Sequence, residues 1–238
     1  MELKADTIAP TDVRATLGRH ILADGMDMVL DMDASQGRHL VDAKSGRRFL
    51  DLFGFYASSA LGMNHPGLRS DAAFMKRLTD AAVNKIANSD VYTPHFARFV
   101  DTFERVGIPQ SMSHAFFVSG GALAVENALK AAFDWKVRLN FTKGYRREVG
   151  HKVLHFDHAF HGRTGYTLSL TNTVPNKTAY FPKFDWPRVS TPMIAHEGGE
   201  ATLDCDLEVR EALSLAQIKR AFLDHPDDIA CILVEPIQ

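Results

Sequence analysis

The sequence predicts an α/β layer fold, and three observations carry that prediction. Strand-like and helix-like stretches alternate after residue 100. A strand, a glycine turn and a helix follow one another from Phe116 to Trp135, F-F-V-S-G-G-A-L-A-V-E-N-A-L-K-A-A-F-D-W. Near the end, Cys231–Val234 reads C-I-L-V, a continuous apolar run expected of a parallel strand covered on both faces.

Composition bounds the reading without deciding it. At 238 residues, with 45% hydrophobic and 24% charged, the chain has ample length for a core and ordinary globular proportions. A net charge of -2 and a pI near 6.6 give no electrostatic reason to expect nucleic acid or an anionic membrane as partner. No apolar run approaches the length of a membrane span, and M-E-L-K-A-D-T-I-A-P lacks the layout of a signal peptide. Cys205 and Cys231 sit in unrelated contexts, and Cys231 reads as a small buried residue, so a disulfide is not expected. A soluble, reducing, cytoplasmic setting is the expectation.

In chain order, Thr11 is placed to cap a helix T-D-V-R-A-T-L-G-R-H-I-L. Met28–Met32 alternates as a strand does. His39–Val41, the Lys44-Ser45-Gly46 turn and Arg48–Phe53 predict a hairpin. Gly54–Pro66 is rich in small residues, either a place of close backbone approach to a ligand or a plain connection. Helices are expected over 68–83 and from about His95 to Val106, with Asp90 placed to cap before Pro94. Phe116–Val118 reads as the end of a buried strand. From Ala122 onward Leu123, Ala124, Val125, Ala128, Leu129, Ala132 and Phe133 fill one broad helical face. Asn140–Gly150 reads as a surface connection, Val153–Phe156 and Thr167–Leu170 as strands, and Thr171–Glu200 as a long ordered loop. Leu207–Phe222 predicts an amphipathic helix.

Two places concentrate chemistry. The Ser119-Gly120-Gly121 turn opens a helix, so free N–H groups and the helix dipole there favour an anion, although both the G-K-[ST] of a P-loop and the third glycine of a dinucleotide fingerprint are missing. The alternative is a strand–helix connection with no ligand. His155–Tyr166, H-F-D-H-A-F-H-G-R-T-G-Y, leaves a strand, and in a doubly wound sheet that places it at the ligand-binding edge. Three readings stand side by side: His155, Asp157, His158 and His161 as metal ligands; histidines bonded structurally to loop backbone; or Phe160 as an aromatic face for a planar cofactor with Arg163 forking a carboxylate. Glu235, after the C-I-L-V run, falls at the same edge or simply ends the strand before Pro236.

Several longer stretches resemble the class III (ω-type) aminotransferases, pyridoxal-phosphate enzymes of fold type I, and within them the lysine 6-aminotransferase branch. The residues that carry the resemblance are G-R-H-L-V-D-A-K-S-G-R-R-F-L-D-L-F-G-F-Y-A-S-S-A-L-G-M-N-H-P, F-F-V-S-G-G-A-L-A-V-E-N-A-L-K-A-A-F-D-W-K, A-F-H-G-R-T-G-Y-T-L-S-L-T-N, F-P-K-F-D-W-P-R and V-E-P-I-Q. It extends over essentially the whole chain. It implies a three-layer α/β/α large domain, begun by residues 66–238, after an N-terminal segment, 1–65, that belongs to a small domain. By motif position Gly121 and Ala122 are expected to offer backbone N–H groups to the phosphate of pyridoxal 5'-phosphate. Phe160 is expected to stack on its ring, Glu235 to support it, and Arg163 to hold the substrate α-carboxylate. Tyr56 and Ser58 are expected toward the substrate. The class more often carries Ser or Thr beside the cradle glycine; Ala122 leaves that contact to backbone.

The same resemblance implies transfer of the ε-amino group of L-lysine to 2-oxoglutarate, giving 2-aminoadipate 6-semialdehyde, by a homodimer. Ornithine, acetylornithine and 4-aminobutyrate are the alternative substrates. In the family, E-P-I-Q continues into a G-E-G-G loop, an aspartate at the pyridine nitrogen and the Schiff-base lysine. All three are expected beyond Gln238, and neither Lys130 nor Lys183 reads as a substitute. The chain therefore reads as a first half, expected to be inactive and poorly stable alone. A non-catalytic fragment that associates with an aminotransferase subunit is the alternative.

Overall fold

The structure, a computed structural model, describes residues 7–194 and 200–237, and side chains within residues 200–205 are outside the description. So are residues 195–199 of the expected long loop, and the side chain of Cys205. The chain divides into two compact units, Met1–Pro109 and Gln110–Gln238.

In the first unit a single 3-10 turn, Pro10–Asp12, leads into α1 (Val13–Leu17). Thr11 does not cap it: Pro10 starts the turn ahead of Thr11, no side chain caps either segment, and α1 ends before Gly18. The hairpin forms as expected from β1 (His39–Val41) and β2 (Arg48–Leu50), paired antiparallel with Leu40 opposite Phe49. The alternation at Met28–Met32 yields only an isolated bridge from Leu30 to Asp42. Asp42 gathers the N–H groups of Val29, Lys44 and Ser45, which holds its carboxyl down at about 2, the Ser45 hydroxyl being the largest cause. Gly54–Ala57 (α2) is a left-handed turn, with φ of 51 at Phe55 and 55 at Tyr56. The helix expected over 68–83 is broken into α3 (Pro66–Arg69) and α4 (Ala72–Val83), because Asp71 caps the second by accepting from the Phe74 N–H at 2.9 Å. The cap of α5 (Pro94–Val106) is Thr93, not Asp90. Pro94 occupies the first helical position, so only the residue directly before it can cap.

The second unit is built on a three-stranded parallel sheet, β3 (Lys152–Phe156), β4 (Arg188–Val189) and β5 (Ile229–Leu233), with β3 in the centre. α6 (Gly121–Thr142) and α7 (Gly165–Leu170) cover one face, where Leu129, Phe133, Val153, Leu170 and Trp186 form a core. α8 (Glu200–Asp224) covers the other, where Leu154, Val189, Ala221 and Ile229 pack. Val153 and Leu154 are neighbours that serve opposite cores, as the two-residue period of a strand requires. The arrangement is the three-layer α/β/α fold that the sequence predicts.

Five expectations need correction here. Phe116–Val118 is not a strand; Phe116 is 74% exposed, and no described strand runs beside it to complete a ladder. Thr167–Leu170 is the end of α7 rather than a strand, because Thr164 and Thr167 form a reciprocal capping box that commits the chain to a helix. The broad α6 face narrows to Val125, Leu129 and Phe133, one per turn, while Leu123 is exposed. The long loop carries β4, and Asn140 is fully buried rather than on the surface.

Asn140 ties the end of α6 to both neighbouring segments: its Nδ2 donates to the Val149 carbonyl at 2.7 Å and the Asp227 carbonyl at 2.9 Å. Asn140→Leu leaves both carbonyls unpaired, and the denaturation midpoint followed by tryptophan emission should report a loss of roughly 2–4 kcal/mol. In the centre of β3, His155 is 1% exposed with Nδ1 unpartnered. Burial, with Arg188 and His161 adding, lowers it from 6.5 to about 4. Its neutral ring contributes stability that is whole above pH 6.5 and lost as the pH falls toward 4. The melting temperature should decline through that window, and His155→Leu should flatten that part of the curve.

Candidate active site

Parallel strands bring their carboxyl ends to one edge, so the segments after β3 and β5 emerge together. The loop after β3, Asp157 to Thr164, is held on several sides. The Asp157 N–H donates to the Val189 carbonyl at 2.9 Å, and the Thr191 hydroxyl donates to the Asp157 carbonyl. The Asn172 N–H donates to Ala159 at 3.0 Å. The Phe160 N–H donates to Glu235 Oε2 at 2.8 Å, joining the loop to the end of β5.

α6 begins beside this loop. Its N-cap, Gly120, has a φ of 98, no side chain caps the helix, and no acidic residue stands in the first turn. The N–H groups of Gly121, Ala122 and Leu123 precede the first intrahelical bond, from Ala124 to the Gly120 carbonyl at 3.1 Å. Gly162, at φ +113, presses on this turn: a Cβ there would lie 2.5 Å from Ala122 Cβ and 2.9 Å from Thr167 Oγ1. The space beside Gly121 is open, with nothing within 4 Å of where its Cβ would be.

A cavity of about 860 Å³ results, lined by Gly121, Ala122, Phe160, Arg163, Lys177 and Phe181 among others. Phe160 is 45% exposed, and the Arg163 side chain has no ion-pair partner among the described residues. A bare helix start, an exposed aromatic ring and a guanidinium around one cavity fit a planar group that carries a phosphate and meets a carboxylate, as pyridoxal 5'-phosphate does. A second cleft, of about 850 Å³, lies by the amino ends of β3 and β5. Its polar lining is largely engaged already: Asp228 accepts from the Gly150 and His151 N–H groups, and Lys152 donates to the Asp185 carbonyl.

The structure thus gathers Gly121, Ala122, Phe160 and Arg163 around one cavity and links Glu235 to them through the Phe160 amide. Tyr56 and Ser58 belong to the first unit. Tyr56 is 91% exposed, and the Ser58 hydroxyl donates to the Phe55 carbonyl at 2.6 Å. The four residues of the metal reading do not converge. His155 is buried in β3, His158 is exposed at φ 61, and Asp157 lies 3.9 Å from Arg188; no metal-type cluster occurs among the described residues. The structural reading of the histidines holds in part: His155 makes a backbone hydrogen bond at Trp186, while its Nδ1 and His161 Nε2 lack partners. Sequence reading did not single out Lys177, which lies in no quoted motif, or Phe181, which opens the F-P-K-F-D-W-P-R stretch but was given no role there.

Comparison with known proteins finds relatives along nearly the whole chain. The L-lysine-epsilon aminotransferase of Mycobacterium tuberculosis is 55% identical over 229 residues, covering 96% of this chain and 50% of that protein. That of Streptomyces clavuligerus is 51% identical over 228 residues, covering 95% and 49%. Among solved structures, a lysine aminotransferase from M. tuberculosis superposes with a TM-score of 0.89 at 54% identity, covering 97% of this chain and 52% of that one. An omega-aminotransferase from Paracoccus denitrificans shares the fold, with a TM-score of 0.70 at 21% identity. The chain spans about half the length of the curated relatives it matches. Residues 21–238 match the family described as aminotransferase class-III, whose cofactor is pyridoxal 5'-phosphate, and the chain belongs to that family.

Proposed function

We propose that this chain supplies the cofactor cradle and a substrate-carboxylate site of an aminotransferase that moves the ε-amino group of L-lysine to 2-oxoglutarate, giving 2-aminoadipate 6-semialdehyde and L-glutamate. The observation that carries this reading is identity above 50% with L-lysine-epsilon aminotransferases along nearly the whole chain. When bound, pyridoxal 5'-phosphate supplies the electron sink and carries the amino group between the two half-reactions.

The chain's own residues do the holding. The N–H groups of Gly121 and Ala122 receive the phosphate at the positive end of α6. Phe160 offers its ring face, and Glu235 fixes the Phe160 backbone through the amide bond it accepts. Arg163 forks the α-carboxylate of lysine, which leaves the ε-amine, at the far end of the molecule, free to reach the reacting centre. Val125, Leu168 and Phe181 wall the cavity with apolar surface and limit the water in it. Tyr56 and Ser58 are assigned to the substrate side. In the same reading residues 1–65 belong with a smaller domain, 66–238 open the larger one, and the enzyme is a cytoplasmic homodimer.

The test is a substrate panel on the full-length protein with pyridoxal 5'-phosphate and 2-oxoglutarate, reading glutamate formed from lysine, ornithine, acetylornithine and 4-aminobutyrate. Lysine should give the highest kcat/KM; another amine ahead of it, or no turnover at all, contradicts the proposal. Arg163→Lys should lower kcat/KM for lysine at least about tenfold, mostly through KM, because an ammonium cannot fork a carboxylate.

A further inference from the structure

Thr171 follows α7 directly, is 2% exposed, and stands outside the cavity. Its hydroxyl makes two bonds to the cavity loop. It accepts from the His161 N–H at 2.9 Å and donates to the Gly162 carbonyl at 2.6 Å. A threonine hydroxyl has one proton to give and can accept in return, so this oxygen closes a ring with two consecutive residues of the loop. No other side chain among the described residues bonds the backbone of either residue.

What lies on each side of that pair gives the contact its meaning. Phe160 precedes it and Arg163 follows it. Gly162 is pressed against Ala122 with no room for a Cβ, at a φ of +113. Glycine adopts such a backbone freely, whereas any residue with a Cβ would be strained there. Glu235 fixes the loop one residue earlier, at Phe160, and the Thr164–Thr167 box fixes it later. Between those anchors the Thr171 hydroxyl bonds both residues of the His161–Gly162 segment, the link between Phe160 and Arg163.

We infer that Thr171 is a positioning residue for the cofactor ring and the substrate carboxylate, acting through the His161 amide and the Gly162 carbonyl. The inference rests on the proposed function, because it takes Phe160 and Arg163 as the groups that meet cofactor and substrate.

Thr171→Val keeps the shape and removes the hydroxyl. In the full-length protein it should weaken pyridoxal 5'-phosphate binding and raise KM for lysine, each about tenfold, with kcat changed less. Amide exchange across residues 158–166 should quicken in the same variant. Thr171→Ser, which keeps the hydroxyl, should restore affinity, KM and exchange to within about twofold of wild type. Unchanged affinity and KM in Thr171→Val, or a Thr171→Ser protein as impaired as Thr171→Val, overturns the inference. Should Thr171→Val fail to fold, Thr171→Ala makes the same comparison. A wild-type protein that binds no pyridoxal 5'-phosphate overturns the functional reading itself, and the role of Thr171 falls with it; that failure shows in wild type, whereas failure of the inference alone shows only in the variants.

Discussion

The second unit depends on one close approach. Gly162 meets the first turn of α6 at Ala122 so tightly that no side-chain atom fits on it. A helix start and a strand-exit loop come together there with no ion pair between them among the described residues. What holds them is the absence of bulk on both sides, plus hydrogen bonds that fix the loop from behind. Because the approach is made by backbone, the N–H groups ahead of Ala124, the Phe160 ring and the Arg163 side chain all border one cavity. An extra methyl group at the contact separates the elements that make the cavity useful.

The sheet beneath explains why the loop can be fixed so firmly. β3 is the central strand, its side chains alternate between two covered faces, and its exit is bonded to the segment after β4, to Asn172 and to Glu235 after β5. Asn172 is near in the chain, but the segment after β4 and Glu235 lie far along it, so the loop is fully held only once the sheet has formed. Asn140 and the Asp227 corner do the corresponding work at the opposite end, joining the end of α6 to the start of β5.

Much of this was legible in the sequence where local chemistry decides. The apolar runs at Val153–Phe156 and Cys231–Val234 predict β3 and β5, and the Gly120-Gly121 pair predicts the start of α6. The cavity residues Gly121, Ala122, Phe160 and Arg163 were found because their motifs are compact. The failures have two causes: some depend on partners distant in the chain, and others on a local cap that competes with the apolar pattern. Phe116–Val118 has strand composition but no neighbouring strand among the described residues. T-L-S-L at 167–170 suits either period, and the hydroxyl of Thr164 decides it. Thr171 stands inside the quoted A-F-H-G-R-T-G-Y-T-L-S-L-T-N stretch, but nothing in that stretch tells that its hydroxyl bonds residues 161 and 162.

The most direct test of the central contact is the pyridoxal 5'-phosphate dissociation constant of the full-length Gly162→Ala protein. The added methyl meets Ala122 at 2.5 Å and burdens a residue at φ +113, so the affinity should fall by about tenfold or more. The double variant with Ala122→Gly should recover part of that loss. Wild-type affinity in Gly162→Ala would contradict the account, because the loop and the helix start would then meet without needing the approach that the cavity is built on.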